Sequence, residues 1–287
     1  MALEILKLEG VSCVYGKGTP FEICALDDVT VGFAQGKVTG VIGHTGSGKS
    51  TLVQMLNGLV TPSAGRVLLD GTDIHESRAT LAKTRFRVGL VMQYPEYQLF
   101  DSTVAKDIAY GPRNMGLSEE EIADRVAEAA RFVGLPEDLM EKSPLELSGG
   151  QRRRAAIAGV FAMRPEVLVL DEPAAGLDPR GKREIFEGLL AYRAAHDATL
   201  ILVSHSMEDM ATYCDNIVLL KDAHVLKTGT VAEIFETPDL LAEAGLSMPA
   251  VFTVASELLR RGVPLTGELY TVEGLKEAIL RVWKERN

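Results

Sequence analysis

Gly43-His44-Thr45-Gly46-Ser47-Gly48-Lys49-Ser50 lies between the apolar run Val38-Thr39-Gly40-Val41-Ile42 and the helix-like Thr51-Leu52-Val53-Gln54-Met55-Leu56. Strand, glycine-rich loop and helix in that order form a phosphate-binding loop. Glycines at 43, 46 and 48 let successive amides turn inward, and the positive end of the following helix adds to the same anion site. Lys49 then reaches the β- and γ-phosphates and the Ser50 hydroxyl ligates magnesium. Phosphoryl chemistry on a nucleotide is the expected reaction.

Other residues fit that chemistry by position. Val167-Leu168-Val169-Leu170 reads as a strand buried on both faces, ending in Asp171-Glu172. Two carboxylates at the carboxyl edge of a parallel sheet stand where ligands collect, one suited to hold a metal and its neighbour to orient water. Thr199 to Ser204 is another buried strand, and His205 follows it at the same edge. Gln93 follows the strand Val88 to Met92 and either faces the phosphates or caps the strand. Tyr15 either stacks on a base or packs. Ser148-Gly149-Gly150-Gln151 precedes a helix, so its amides offer an anion site or simply start that helix.

The elements that must position these residues are legible in outline. Residues 3 to 35 alternate like an antiparallel β-layer, with turn signals around Gly16 to Pro20. From about 100 to 160 the pattern is helical, with a capping box at Ser118 to Glu121. From about 230 a helical tail follows: Thr237-Pro238-Asp239 caps one helix, and Val272, Leu275, Ile279 and Val282 mark a last amphipathic one, with Trp283 as a packing anchor. The 287 residues fit one large α/β unit with an appendage. A net charge of −10 disfavours a nucleic-acid partner, and Arg152-Arg153-Arg154, read as a solvated or ion-paired helix start, does not reverse it. Cys13, Cys24 and Cys214 fit free thiols in a reducing compartment. No signal peptide is evident at Met1, and no apolar run approaches the ~20 residues of a membrane span.

Together these residues resemble the ATP-binding subunits of ATP-binding cassette (ABC) transporters over residues 3 to 235. Gly43 to Ser50 is similar to the Walker A loop, Gln93 to the Q-loop and Leu147 to Gln151 to the signature motif. Val167 to Glu172 is similar to the Walker B strand with its catalytic glutamate, Ala175 to Asp178 to the D-loop, and His205 to the switch histidine. More narrowly, Gln93 to Phe100, Tyr110 to Asn114 and Ser204 to Asp209 resemble the ATPases of energy-coupling factor importers, and His44-Thr45 the second of their two paralogous ATPases. One departure is Asp222-Ala223-His224, where the family often has a glycine turn.

The resemblance implies a P-loop NTPase fold of the ABC type: a parallel core sheet, an antiparallel β-subdomain, an inserted helical subdomain at about 100–160, and a C-terminal dimerisation extension at 236–287 after a cassette at 1–235. It implies ATP and Mg²⁺ as cofactors. Glu172, His205, Gln93 and Lys49 become catalytic. Tyr15, Gly43, His44, Thr45, Gly46, Ser47, Gly48, Lys49, Ser50 and Thr51 become nucleotide-binding, joined by Ser148, Gly149, Gly150, Gln151 and Asp178 for a partner's nucleotide, while Ser50, Gln93 and Asp171 become the metal ligands. The partners implied are a second ABC ATPase, identical or paralogous, closing head to tail; a transmembrane coupling protein; and a membrane-embedded substrate-binding subunit. The chain would sit on the cytoplasmic face of the membrane and drive uptake of a vitamin or metal ion. Two alternatives are a homodimeric ATPase of a dedicated cobalt or nickel importer and a soluble ABC ATPase.

Overall fold

The computed structural model describes residues 3–286. Two long strands, β1 (Glu4–Tyr15) and β2 (Ile23–Ala34), pair antiparallel, and β3 (Val38–Gly43) leads through the glycine loop into α1 (Lys49–Leu56). Next come β4 (Ala64–Leu69), the short β5 (Thr72–Asp73), α2 (Arg78–Arg87) and β6 (Val88–Val91). The helical stretch holds α3 (Val104–Asn114), α4 (Glu119–Phe132) and α5 (Gly149–Phe161). Then follow β7 (Val167–Asp171), α6 (Pro179–His196), β8 (Thr199–Val203), α7 (Met207–Tyr213), β9 (Asn216–Lys221) and β10 (His224–Thr230). The chain closes with α8 (Val231–Phe235), α9 (Pro238–Glu243), α10 (Ala250–Arg260) and α11 (Val272–Arg286).

Six strands form the central sheet in the order β10-β9-β3-β8-β7-β6, parallel except for β10, which closes one edge against β9. Because alternate side chains leave a strand on opposite faces, each central strand feeds two cores. Val38, Ile42, Leu168, Leu170, Leu200 and Leu202 point to the face covered by helices. Val41, Val167, Val169, Ile201 and Val203 point to the other, packed with α1 and the antiparallel sheet β2-β1-β4-β5. That double burial explains the unbroken apolar runs in β7 and β8.

The 100–160 stretch is helical as its periodicity predicts, and Ser118 with Glu121 completes the capping box of α4. Helix α2 carried no such signal: its only buried side chain is Thr84, so it has no apolar stripe to read. In the tail, Thr237 holds the N-cap position of α9 with Pro238 at the helix start, but its hydroxyl donates to the Glu233 carbonyl at 3.1 Å instead of accepting a helix amide. Trp283, expected as a packing anchor, is 62% exposed. The tail has a small core of its own, in which Ala255 of α10 packs with Leu265 and with Leu275, Ala278 and Val282 of α11.

Candidate active site

Parallel strands β3, β7 and β8 end side by side, which brings the phosphate loop, Asp171-Glu172 and His205 to one edge. A cleft of about 470 Å³ there is lined by Tyr15, Thr45, Gly46, Gly48, Lys49, Ser50, Thr51, Gln93, Asp171, Glu172 and His205.

The loop is shaped by close approach and by left-handed backbone. A Cβ on Gly43 would meet the Leu220 carbonyl oxygen and Ser47 Oγ, each at 2.4 Å, and Gly48 has φ 102 with the Ala25 carbonyl pressed as closely. Lys49 folds back over the loop, its Nζ donating to the carbonyls of Gly43 at 2.7 Å and His44 at 2.8 Å. Burial pushes its ammonium below the usual lysine range, against the pull of Asp171 and Glu172. A buried cation whose direct hydrogen bonds among the described residues go to neutral carbonyls is a receptor for anionic phosphate.

Beside it the Ser50 hydroxyl donates to Asp171 Oδ2 at 3.3 Å. Burial pushes the Asp171 carboxyl up, while Ser50 and Lys49 pull it down. A hydroxyl and a buried carboxylate side by side are hard oxygen donors of the kind Mg²⁺ takes, and a cation there would relieve the burial cost. Gln93 is exposed at the same cleft, with a carbonyl oxygen of the same type.

Glu172 follows with φ 52, a left-handed kink at the end of β7. Its Oε1 accepts the backbone N–H of His205 at 2.7 Å and its Oε2 the Ser204 hydroxyl at 3.4 Å, so neighbouring strand ends fix the carboxylate. Burial pushes this carboxyl up as well, opposed first by the His205 amide. The His205 ring is 58% exposed, its Nε2 3.9 Å from Glu172 Oε1. Tyr15 stands at the mouth, its hydroxyl 3.4 Å from Thr51 Oγ1.

Not every predicted site residue enters this cleft. The His44 side chain turns away from the cleft to Asp222, with Nε2 3.2 Å from Oδ1, while its Nδ1 lies 2.8 Å from the Thr45 carbonyl oxygen and its own carbonyl accepts from Lys49. Ser47 is fully buried beneath the loop. Ser148, Gly149, Gly150 and Gln151 lie apart from the cleft and open α5, where Ser148 Oγ accepts the Gln151 amide and Gln151 Oε1 accepts the Ser148 amide, a complete capping box. Asp178 caps α6, its Oδ1 taking the Gly181 amide at 2.6 Å. Motif reading missed Ile23, Cys24 and Ala25, which line the cleft beside Tyr15. The signal was the β1–β2 register, which pairs Tyr15 with Ile23 and Val14 with Cys24.

Residues 26–175 match the family model described as ABC transporter. A protein of Caldanaerobacter subterraneus subsp. tengcongensis, named energy-coupling factor transporter ATP-binding protein EcfA2, is 50% identical, with 96% of each chain covered. Its namesake in Clostridium acetobutylicum is 48% identical over 96% of this chain and 97% of that one. Among solved structures, cbiO1 of Clostridium perfringens, described as part of the ABC transporter complex cbiONQ, superposes with TM-score 0.75 at 38% identity, covering 90% of this chain and 99% of that one. A dimeric bacterial ABC transporter cassette gives TM-score 0.71 at 28% identity, covering 79% and 98%.

Proposed function

Because the chain belongs to the energy-coupling factor family of ABC transporter ATP-binding proteins, we propose that it hydrolyses ATP at composite sites made with a second ATPase. The observation that carries this is the separation inside one chain. The cleft has a lysine, a metal-type oxygen pair and an oriented glutamate, while Ser148-Gly149-Gly150 stands elsewhere with a helix N-terminus open to solvent. Each half is what the other lacks, so two copies of the cassette closing head to tail complete two sites.

In that arrangement Lys49 and the loop amides hold the β- and γ-phosphates, and Tyr15 stacks on the adenine. Ser50, Asp171 and Gln93 would hold Mg²⁺, which would supply positive charge to offset that of the phosphates during transfer. Glu172, oriented by the His205 amide and the Ser204 hydroxyl, takes the proton of the attacking water as general base, a role worth roughly 10²–10⁴-fold in rate. The His205 ring contacts the γ-phosphate. Ser148, Gly149 and Gly150 cover the partner's nucleotide with free amides, and Asp178 sets the α6 start at the dimer seam. Hydrolysis replaces one bridging anion with two that repel, and the dimer reopens.

No helix among the described residues is long and apolar enough to cross a membrane. From its kinship with transporter ATP-binding proteins we place the chain at the cytoplasmic membrane face, held by a transmembrane coupling protein that also carries a membrane-embedded substrate-binding subunit for a vitamin or metal ion. Tyr97 and Phe100, 84% and 66% exposed, supply a docking face for that protein, while Leu99 packs inward. Residues 1–235 form the cassette and 236–287 the dimerisation extension. A second reading takes two identical copies of this chain in a dedicated cobalt or nickel importer; the likeness to cbiO1, itself part of an ABC transporter complex, is the observation on its side.

Purification of the full chain in gentle detergent, mass identification of its companions and an ATPase assay beside Glu172→Gln test the proposal. A second ATPase with small polytopic membrane proteins, and turnover lost in the variant, is the expected result. The same ATPase alone with one dedicated membrane set favours the second reading. Companions without any membrane protein, or unchanged turnover in the variant, would overturn it.

A further inference from the structure

The arginines that follow Ser148-Gly149-Gly150-Gln151 have no part in the chemistry above, yet two of them turn inward. Arg153, 3% exposed, forks onto Glu96: Nε donates to Oε2 at 3.1 Å and Nη2 to Oε1 at 3.2 Å. Its guanidinium carbon lies 5.9 Å from the centroid of the Tyr94 ring. Arg154, one position on, donates to the Val133 carbonyl and to Glu184 of α6, each at 2.6 Å.

Glu96 is on the 3₁₀ turn Pro95–Gln98, three residues past Gln93, which lines the nucleotide cleft. Tyr94 between them sits at φ 56, the left-handed bend that swings the turn back toward α5. Arg153 is on the first turns of the helix that Ser148 caps. One bidentate ion pair therefore joins the segment facing this chain's own γ-phosphate to the helix whose N-terminus covers the other nucleotide.

We propose that Arg153 and Glu96 are a positioning pair that makes the Gln93 turn and the N-terminus of α5 move as one body, so that occupancy of one composite site is transmitted to the other. The proposal rests on the reading that two cassettes close around two nucleotides. Its physical basis is the cost of separation. Arg153 Nη1 is already buried without a hydrogen-bond partner among the described residues. Moving the turn away from the helix would strand the rest of a buried guanidinium, which costs far more than shifting both together. Helix α5 is also tied in the same turns to the Val133 carbonyl and to α6 by Arg154, so displacement of the turn moves its N-terminus together with those anchors. Planarity matters too: lysine keeps the charge but cannot make the fork.

The test uses the full chain with its partner ATPase and the variants Arg153→Gln, Arg153→Lys, Glu96→Gln and the double Arg153→Gln/Glu96→Gln. Nucleotide affinity of the single chain is read with a fluorescent ATP analogue, ATP-driven closure in a Glu172→Gln background, and kcat, KM and the Hill coefficient from turnover. The expected result is affinity within about twofold of the parent, with closure and kcat down about tenfold and the Hill coefficient falling toward one, inside the ~5–150-fold range of site coupling. Arg153→Lys falls between, and the double variant is no worse than either single because they break one interaction. Closure and kcat within twofold of the parent, a rise in KM alone, or losses that multiply in the double variant would overturn the pairing. If Arg153→Gln does not fold, Glu96→Gln reads the same pair from the loop side. Failure of the Glu172→Gln parent to close on ATP would overturn the composite-site reading and this inference with it. Closure there, with no effect of the substitutions, overturns this inference alone.

Discussion

The main-chain N–H of His205 donates to Glu172 Oε1 at 2.7 Å, whereas its imidazole Nε2 stands 3.9 Å from the same oxygen. The backbone, not the ring, orients the glutamate. His205→Ala therefore keeps Glu172 in place and removes only the exposed ring. Unfolding free energy should change by no more than about 0.5 kcal/mol, as for other exposed substitutions. Nucleotide affinity should hold while kcat falls by about 10²-fold, the loss expected for one polar group acting in the transition state. A matching loss of affinity in equilibrium titrations would assign the ring to ground-state binding instead.

Residues whose roles depend on their immediate neighbours were legible in the sequence. The phosphate loop, the Asp171-Glu172 strand end and His205 each follow a strand whose apolar run gives it away, and parallel order carries all three to one edge. What the sequence withheld are contacts between distant segments. Nothing local tells that Lys49 folds onto the Gly43 and His44 carbonyls, or that Glu172 bends at φ 52. The arginine triple read as a solvated or ion-paired helix start, with nothing to choose between the two and no sign of a bridge to Glu96, 57 positions away. Helix α2 was missed because it buries one threonine and no apolar stripe.

The loop glycines should separate into two kinds. Gly43→Ala drives a Cβ to 2.4 Å from the Leu220 carbonyl, a backbone atom that cannot yield. Gly46→Ala meets no atom within 4 Å and pays only for its φ of +85. Denaturant unfolding should show Gly43→Ala losing about 3 kcal/mol or failing to fold, at or above the upper end of overpacking costs. Gly46→Ala should lose about 1–2 kcal/mol and, because its amide belongs to the phosphate cradle, bind ATP more weakly while staying folded. Equal losses would mean the loop relaxes around Gly43.

The three thiols differ in access. Cys24 is exposed and lines the cleft, while Cys13 is buried. Burial raises the Cys13 thiol and raises Cys214 well beyond the usual thiol range, the latter helped by Asp215 and Asp209. Since the thiolate is the nucleophile, raising the pH from about 7 to 9 should leave Cys13 and Cys214 unalkylated in the native protein. Mass spectrometry should find one adduct, on Cys24, formed more slowly when ATP fills the cleft. Labelling of Cys214, which is half-buried, at a comparable rate would contradict its raised thiol.

Glu208, three residues past His205, takes the Ala250 amide on Oε1 at 2.9 Å and so ties α7 to the start of α10. That amide, first among its contacts, holds the carboxyl below its ordinary 4.5. A depressed folded value means that the stabilisation is complete above the ordinary value and is lost as the pH falls through the lower folded one. The Ala250 amide should be protected from hydrogen exchange at neutral pH. After correction for intrinsic rates, protection should fall on acidification below about 4.5 and at neutral pH in Glu208→Ala. The exposed carboxyl limits the cost of that variant to about 0.5–1 kcal/mol. Protection that is independent of pH and of the substitution would mean the tail is held elsewhere.

The hairpin between β9 and β10 turns on Asp222 at φ 46 and Ala223 at φ 69, with Lys221 paired to His224 across it. Two successive left-handed residues make the turn whose twist suits a two-residue hairpin, and it favours glycine at the second position. Alanine there bears a Cβ–carbonyl clash of about 1–2 kcal/mol, although the turn is otherwise well tied: the Ala223 carbonyl accepts the Asp27 amide at 2.9 Å, and Asp222 pairs with His44 of the phosphate loop. Ala223→Gly removes the clash and keeps both contacts, since one is made by backbone and the other by the neighbouring residue. The added freedom of glycine in the unfolded chain offsets part of the gain, so a net stabilisation of about 0.5–1 kcal/mol is expected, read as a higher denaturation midpoint at unchanged slope. ATPase activity should stay as it was, because His44 keeps its partner and the loop its shape. A variant no more stable than the parent would show that the turn carries no backbone strain for glycine to release.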